Sequence, residues 1–187
     1  MRPVYLDCNA TTPIEPRVKD VVIRYMTEEF GNAGSRTHEY GLNAKKAVNK
    51  AREQVAQVVN SKPEEVIFTS GATESNNIAI QGLVDFGLRE NKTHIITSKI
   101  EHKAVLEPIK HLEGKGFSVT YLPSDQSGII DPKDLEEALQ DNTLLVSIMH
   151  VNNETGVIQP VEEYCKVLSN HDAFFHTDAA QGFGKLI

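Results

Sequence analysis

The sequence predicts an α/β protein in which helices cover both faces of a mostly parallel sheet, in three layers. From about residue 65 onward, short apolar runs alternate with amphipathic stretches. The runs are rich in β-branched and aromatic residues and are bounded by turn residues, as strands are. Repeated strand–helix–strand order produces a parallel sheet with helices on both faces.

Five apolar runs are the predicted strands, and six amphipathic stretches are the predicted helices. Helices near residues 15–29 and 42–59 precede the first strand. The strands are expected at residues 66–69, 94–97, 118–122, 144–150 and 173–177. Helices near residues 74–90, 102–114, 132–140 and 161–170 connect them. One helix start is marked by Asp131 and Pro132, because an N-cap acid and a proline at the first position favour it.

The composition is that of an ordinary globular protein with an acidic balance. The 187 residues are enough to bury a sizeable core. The net charge of −7 argues against general binding to nucleic acids or membrane surfaces. No signal peptide or membrane span is visible, and Cys8 and Cys165 form no disulfide framework. We therefore expect a cytoplasmic protein that binds neither membranes nor nucleic acids directly.

Hydrogen-bonding residues directly follow four of the five predicted strands. The exception is the strand at residues 118–122, which ends in an ordinary turn at Pro123. Ligands of open α/β sheets bind beyond the carboxyl ends of the strands. We therefore expect these four loops to meet in one ligand site.

Small residues join the first predicted strand to the helix that follows it. Ala72 and Thr73 allow an anion to approach the backbone closely, and free N–H groups with the helix dipole favour phosphate there. A plain strand-to-helix turn capped by Thr73 is the alternative.

His102 begins a predicted helix, where its imidazole could stack on an aromatic ligand or transfer protons. A solvated histidine at a helix start is the alternative. The remaining candidates, His94, His111 and His171, are expected at the surface or at strand ends.

Asp178 follows an apolar strand, so we expect its carboxylate to be partly buried and to need a partner. A cationic ring nitrogen would serve, and a helix N-cap or a lysine salt bridge are the alternatives. Gln181 lies three residues further on and could reach the same ligand. A metal site with His176 lacks a third ligand, so no metal is predicted.

Ordered motifs occupy residues 5–13, 31–38, 68–77, 98–105, 151–156 and 176–182. They resemble the pyridoxal phosphate (PLP)-dependent cysteine desulfurases of the IscS/NifS type, in the class V aminotransferase group. The resemblance implies fold type I, with residues 15–187 as the N-terminal part of the PLP-binding large domain of a PLP transferase. Residues 1–14 would form a substrate-side segment, and the sheet would be incomplete at its C-terminal end.

The resemblance also implies roles for five residues at the cofactor. Ala72 and Thr73 would bind the PLP phosphate. His102 would stack on the pyridine ring and assist proton transfer. Asn153 would contact the phenolic oxygen or the substrate side. Asp178 would hold the proton of the ring nitrogen, so that the ring stays an electron sink.

Three further residues complete the implied site. Gln181 would bond the phenolic oxygen, and Asn9 and Ala10 would lie near the substrate. The Schiff-base lysine and nucleophilic cysteine of the family would fall beyond residue 187, so we expect this chain alone to be inactive. Cys8 and Cys165 are not assigned as the nucleophile.

The implied activity is conversion of L-cysteine to L-alanine, with sulfur passing as an enzyme persulfide to an acceptor protein. The resemblance implies a homodimer and leaves open iron–sulfur clusters, tRNA thiolation or DNA sulfur modification as the destination of the sulfur. Another class V activity, selenocysteine lyase or aminotransferase, and a non-catalytic fragment are the alternatives.

Overall fold

A computed structural model describes residues 3–186. The chain divides into two compact units, with the boundary between Phe68 and Thr69. The predicted division at residue 14 stays a prediction. None of the helices within residues 3–186 has the length and apolar character needed to cross a membrane.

The first unit consists of two helices and a short 3₁₀ turn. Helix α1 spans Pro16–Thr27, helix α2 spans Glu39–Val58, and the turn spans Pro63–Glu65. Both helices begin at side-chain caps. The Glu15 carboxylate accepts from the Val18 N–H at 3.1 Å, and His38 Nδ1 accepts from the Gly41 N–H at 3.1 Å. These caps satisfy amides that have no partner within the helix.

The predicted strand at residues 66–69 is wrong, because these residues form no strand in the structure. The backbone at Val66 is extended, but its carbonyl accepts a hydrogen bond from the Arg52 guanidinium instead of from a neighbouring strand. The side chains of Ile67 and Phe68 are exposed. An apolar, extended sequence becomes a strand only where another strand can pair with its N–H and C=O groups.

The second unit is an α/β layer structure, which confirms the predicted fold class. Its helices are α3 (Ala72–Gly82), α4 (Val84–Arg89), α5 (Lys103–Glu113), α6 (Pro132–Ala138) and α7 (Val161–Leu168). Its strands are β1 (His94–Ser98), β2 (Ser118–Leu122), β3 (Thr143–Ser147) and β4 (Phe174–His176). The strands lie in the order β2-β1-β3-β4, and every neighbouring pair is parallel.

Apolar residues cover both faces of this sheet. Along β1, Ile95 belongs to the cluster on one face and Ile96 to the cluster on the other, as the two-residue period of a strand requires. Residues of α3 and α5 fill the first cluster, and residues of α6 and α7 fill the second. The sheet is therefore the middle of three layers.

Most predicted boundaries differ from the structure by a few residues, and two of the differences have a visible local cause. The helix predicted at 74–90 is two helices, because the chain bends at Leu83, directly after Gly82, a poor helix former. The strand predicted at 144–150 ends at Ser147, where the ladder stops. Beyond it, the Met149 N–H donates to the Glu101 carboxylate at 2.8 Å rather than to a strand.

His94 begins β1, as predicted for a strand-end histidine, but it is buried rather than at the surface. Its Nδ1 lies 2.9 Å from Thr143 Oγ1, and its Nε2 lies 2.9 Å from Thr120 Oγ1. Burial lowers the pKa of the imidazole.

Candidate functional site

Three loops of the second unit leave the carboxyl ends of parallel strands. They are residues 99–102 after β1, 148–153 after β3 and 177–181 after β4. Parallel strands present their carboxyl ends at one edge of the sheet. Within residues 69–186, this edge holds Ala72, Thr73, His102, Asn153, Asp178 and Gln181, which are the predicted cofactor residues.

Asp178 is buried, with 8% of its surface exposed. Its two carboxylate oxygens have separate donors. The Asn76 side-chain amide donates to Oδ2 at 2.8 Å, and the Ala180 N–H donates to Oδ1 at 3.0 Å. Neither a helix cap nor a lysine salt bridge holds this carboxylate within residues 3–186. The two donors fix its plane, and it lines a cavity of about 380 Å³ together with Ala72 and Asn76.

The start of α3 reaches the same cavity through Ala72. Its N-cap is Gly71, which makes no side-chain capping bond. The alternative in which Thr73 caps the turn therefore does not hold. The Glu74 carboxylate reaches back to the Ser70 N–H at 2.6 Å and orders the turn. The amides of Ala72 and Thr73 occupy the first helical positions, where a helix favours an anion.

His102 is the N-cap of α5, and its Nδ1 accepts from the Ala104 N–H at 3.1 Å. This bond fixes the ring orientation and leaves the Nε2 edge outward. The residue is exposed. His102 and Thr73 line one groove of about 500 Å³, so the structure brings the predicted stacking residue close to the start of α3.

Asn153 and its neighbour Asn152 have different environments. The buried Asn152 organises the loop, since its Oδ1 accepts from the Glu154 and Thr155 N–H groups and its Nδ2 donates to the Ile100 carbonyl. Asn153 is half-buried, and its side chain makes no hydrogen bond within the described part of the chain. Its amide is therefore available to a ligand.

Gln181 is half-buried in the loop after β4. Its Oε1 accepts from Lys185 Nζ at 3.3 Å. The loop packs closely here, because a Cβ on Gly182 would lie 2.4 Å from His150 Nδ1. The loops after β3 and β4 are also joined by the His150 N–H, which donates to the Asp178 carbonyl at 3.0 Å.

Two buried residues of this edge were missed by sequence reasoning. Asn76 lies one helical turn after Ala72, and that spacing could have placed it on the same face. Glu101 directly precedes His102 and is buried, with Ser98 Oγ donating to its Oε1 at 2.7 Å. Burial is the main cause that raises the pKa of Glu101 to about 7.

The alternative of a metal site finds no support in the described residues, which contain no group of three or more metal-binding side chains. His176 Nδ1 lies 2.8 Å from Ser147 Oγ. Burial lowers the pKa of His176, and the Asp178 charge opposes that shift.

Asn9 and Ala10 belong to the first unit, in a turn at residues 8–10. Asn9 is half-buried and Ala10 is exposed. Their predicted position near the substrate stays a prediction.

The chain matches the aminotransferase class-V family over residues 4–186. It belongs to this family. It is 53% identical to human cysteine desulfurase over 186 residues, which is 100% of this chain and 40% of that protein. The predicted resemblance to cysteine desulfurases is confirmed at the level of the family.

Two solved structures have the same fold. DndA from Streptomyces lividans superimposes with a TM-score of 0.87 at 57% identity, over 98% of this chain and 51% of that one. SspA in complex with cysteine gives a TM-score of 0.90 at 45% identity, over 96% of this chain and 51% of that one. The chain spans about two fifths of the human relative and about half of each solved relative.

Members of this family are PLP-dependent, and the residues at the edge of the sheet fit that cofactor. A helix start without a side-chain cap suits a phosphate. A buried carboxylate that already has two donors suits a protonated ring nitrogen. An exposed imidazole that lines a groove with Thr73 suits an aromatic ring. The phosphate, the ring nitrogen and the ring face of the cofactor therefore each have a matching group in this chain.

Proposed function

We propose that the complete protein is a PLP-dependent cysteine desulfurase. It would convert L-cysteine to L-alanine and transfer the sulfur to an enzyme thiol. The observation that carries this proposal is Asp178. Its buried carboxylate is oriented by Asn76 and Ala180 at the edge of the sheet where the strands end. The chain that carries it is 53% identical to a cysteine desulfurase.

In this reaction the carbon–sulfur bond of the substrate breaks, and its sulfur joins the sulfur of an enzyme cysteine as a persulfide. Alanine leaves with the protons that the substrate and the enzyme thiol give up. PLP, when bound, supplies an electron sink for the bonds at the substrate α-carbon. The resemblance implies that the enzyme cysteine lies beyond residue 187.

The residues of this chain would bind PLP and orient it. The backbone amides of Ala72 and Thr73 would hold the phosphate, while the outward edge of His102 would lie against the ring and move a proton at Nε2. Asp178 would keep a proton on the ring nitrogen. Its carboxylate costs little to reorganise, because Asn76 holds it in place beforehand.

Asn153 and Gln181 would supply side-chain amides near the ring's phenolic oxygen. Asn9 and Ala10 would contribute on the substrate side. Asn153 is half-buried, and its side chain makes no hydrogen bond within residues 3–186. Both observations support a contact between its amide and a ligand.

The test is steady-state assay of the complete protein with L-cysteine and PLP, measuring alanine and sulfide. We expect both products in equal amounts when a thiol reductant releases the persulfide. Alanine from L-selenocysteine alone would favour a selenocysteine lyase. Amino transfer from alanine to a 2-oxo acid would favour an aminotransferase, and no product with any substrate would favour a non-catalytic fragment.

The remaining elements of the proposal concern the protein's surroundings. We propose a cytoplasmic homodimer that delivers sulfur to an acceptor protein. Two free, exposed cysteines, Cys8 and Cys165, support a reducing compartment. Light scattering on the complete protein tests the dimer, and cell fractionation tests the location.

A further inference from the structure

Glu101 joins two of the loops that form the site. Its Oε1 accepts from Ser98 Oγ at 2.7 Å, within the turn that leads to His102. The same oxygen accepts from the Met149 N–H at 2.8 Å, at the start of the loop after β3. One carboxyl oxygen therefore ties the segment before His102 to the segment before Asn153.

The other oxygen of this carboxyl group has no such partners. Glu101 has 6% of its surface exposed, and its Oε2 is buried without a hydrogen-bond partner in residues 3–186. An ionised carboxylate spreads its charge over both oxygens, so a buried oxygen without a donor is costly. A neutral carboxylic acid accepts through one oxygen and carries its proton on the other. That hydroxyl would also lack a partner here, but burying an unpaired neutral hydroxyl costs less free energy than burying part of a negative charge. The geometry therefore favours the neutral form over the ionised one.

The surroundings of Glu101 favour the neutral form as well. Burial is the largest cause that raises the pKa of Glu101, and the Asp178 charge adds to it, while the hydrogen bonds from Met149 and Ser98 oppose the shift. Tyr164 is the other titratable neighbour, and its hydroxyl donates to the Ile130 carbonyl and to Gln159 Oε1. The adjacent His102 and Lys103 are exposed. No cation pairs with Glu101 within residues 3–186.

We propose that Glu101 is a positioning residue that acts as a neutral carboxylic acid. It holds the His102 turn against the carboxyl end of β3 and leaves Asp178 as the single buried negative charge at the site. The effect of Glu101 on PLP binding rests on the proposed function, whereas the protonation state of Glu101 does not.

Two substitutions separate hydrogen bonding from charge. Glu101→Gln keeps an acceptor at the position of Oε1 and never ionises, so it imitates the neutral acid. Glu101→Leu removes the acceptor and leaves the Ser98 hydroxyl and the Met149 N–H without partners. Glu137→Gln is the matched control, because it changes the charge in the same way as Glu101→Gln but at an exposed position on α6.

The first measurement is the thermal unfolding midpoint of the complete apoprotein between pH 5 and pH 8. The folded pKa of about 7 exceeds the reference value of 4.5, so wild type gains stability from Glu101 at low pH and loses it as pH rises. We expect Glu101→Gln to equal wild type near pH 5 and to unfold several degrees higher at pH 8. Glu137→Gln should follow wild type throughout. A Glu101→Gln midpoint that is lowered equally at all pH values would overturn the neutral form.

The second measurement is the PLP affinity of the complete protein at pH 6, from the cofactor absorbance, because a pKa of about 7 leaves Glu101 mostly neutral there. We expect Glu101→Gln to stay within about twofold of wild type. Glu101→Leu should weaken binding about tenfold or more, because two donors lose their acceptor. Equal affinity of Glu101→Leu and wild type would overturn the positioning role.

The two measurements keep this inference apart from the proposed function. If wild type binds no PLP and releases no alanine, the proposed function fails, yet the unfolding profile still decides the protonation of Glu101. If Glu101→Leu does not fold, the unfolding profile and PLP affinity of Glu101→Gln alone test the neutral form of Glu101. A Glu101→Gln variant that folds normally but loses PLP would also contradict the proposal.

Discussion

Amphipathic helices occur in both units of the chain, but the two units bury their apolar residues very differently. In the first unit, α1 has no buried residue, and α2 buries only Gly41, Ala44 and Ala56. In the second unit, every residue of β1 and β3 is buried. The difference teaches that helical periodicity alone does not build a core. A sheet collects apolar residues from many segments onto two faces, which two helices do not.

The apolar residues of α1 illustrate this point. Val21, Ile23 and Met26 are all exposed, although the helix is amphipathic. Within residues 3–68, α2 does not bury this face, and its own Tyr40, Leu42 and Val48 are exposed as well. In the second unit, helices of similar pattern cover the sheet through residues such as Ile109 and Tyr164.

The largest expected effect comes from comparing substitutions of Asp178, in the second unit, and Asn9, in the first unit. Both residues have proposed roles in binding the cofactor or the substrate. We expect Asp178→Asn in the complete protein to lower turnover about a thousandfold while it folds. Loss of a charge about 4 Å from a cation costs about 4 kcal/mol at an effective dielectric near 20. Alanine release at saturating cysteine measures it. Asn9→Ala should act mainly on KM, and near-normal turnover by folded Asp178→Asn would contradict the proposed role.

The next effect compares the same residue type in both units. Ile96 is fully buried in β1, and Ile23 is 51% exposed on α1. We expect Ile96→Ala to lower the free energy of unfolding by about 3 kcal/mol, since it removes apolar contacts and leaves a cavity. Ile23→Ala should change it by less than about 0.5 kcal/mol. Denaturant unfolding measures both, and similar losses would mean that α1 is buried in solution.

A smaller effect tests the close packing of the loop after β4. A Cβ at Gly182 would lie 2.4 Å from His150 Nδ1, whereas one at Gly82 would meet nothing within 4 Å. We expect Gly182→Ala to lower the free energy of unfolding by about 1–3 kcal/mol, because the imidazole must move. It should also weaken PLP binding through the displaced Asp178 loop. Gly82→Ala is the control, and a Gly182→Ala protein with unchanged stability and PLP binding would show that His150 moves freely.

The smallest effect is a pH dependence at the opposite edge of the sheet. The folded pKa of His94 lies below its usual value of 6.5, so the unfolded chain takes up the proton first. Stability is then fully present above pH 6.5 and is lost as pH falls from 6.5 through the folded pKa. As the pH falls below 6.5, we expect a protein with His94→Gln to lose less stability than the same protein with His94.

Glu101 changes stability in the opposite direction below its pKa of about 7, so the His94 measurement belongs in the Glu101→Gln background. Unfolding midpoints from pH 7 down to pH 5 give the comparison. His171→Gln is a control histidine, since it lies outside the sheet. Identical acid profiles for parent and His94→Gln would mean that His94 protonates as easily in the folded protein as in the unfolded chain.

The sequence by itself determined the α/β class, the parallel sheet and the edge of the sheet at which the candidate site lies. Each of these follows from local features: β-branched runs, turn residues and polar residues directly after a strand. It also indicated Asp178 and His102, because a carboxylate after an apolar strand and a histidine at a helix start are visible in a few consecutive residues. The boundaries of the helices were off by a few residues, as at Gly82, where propensity and packing compete.

Only the tertiary structure decided which residues these groups contact. Asn76 and Asp178 are 102 positions apart, and Glu101 and Met149 are 48 apart, so no local pattern pairs them. The same holds for the residues at 66–69, whose strand-like sequence found no strand to pair with. Hydrogen-bond partners and burial depend on where distant segments meet, and that is settled by the packing of the whole sheet.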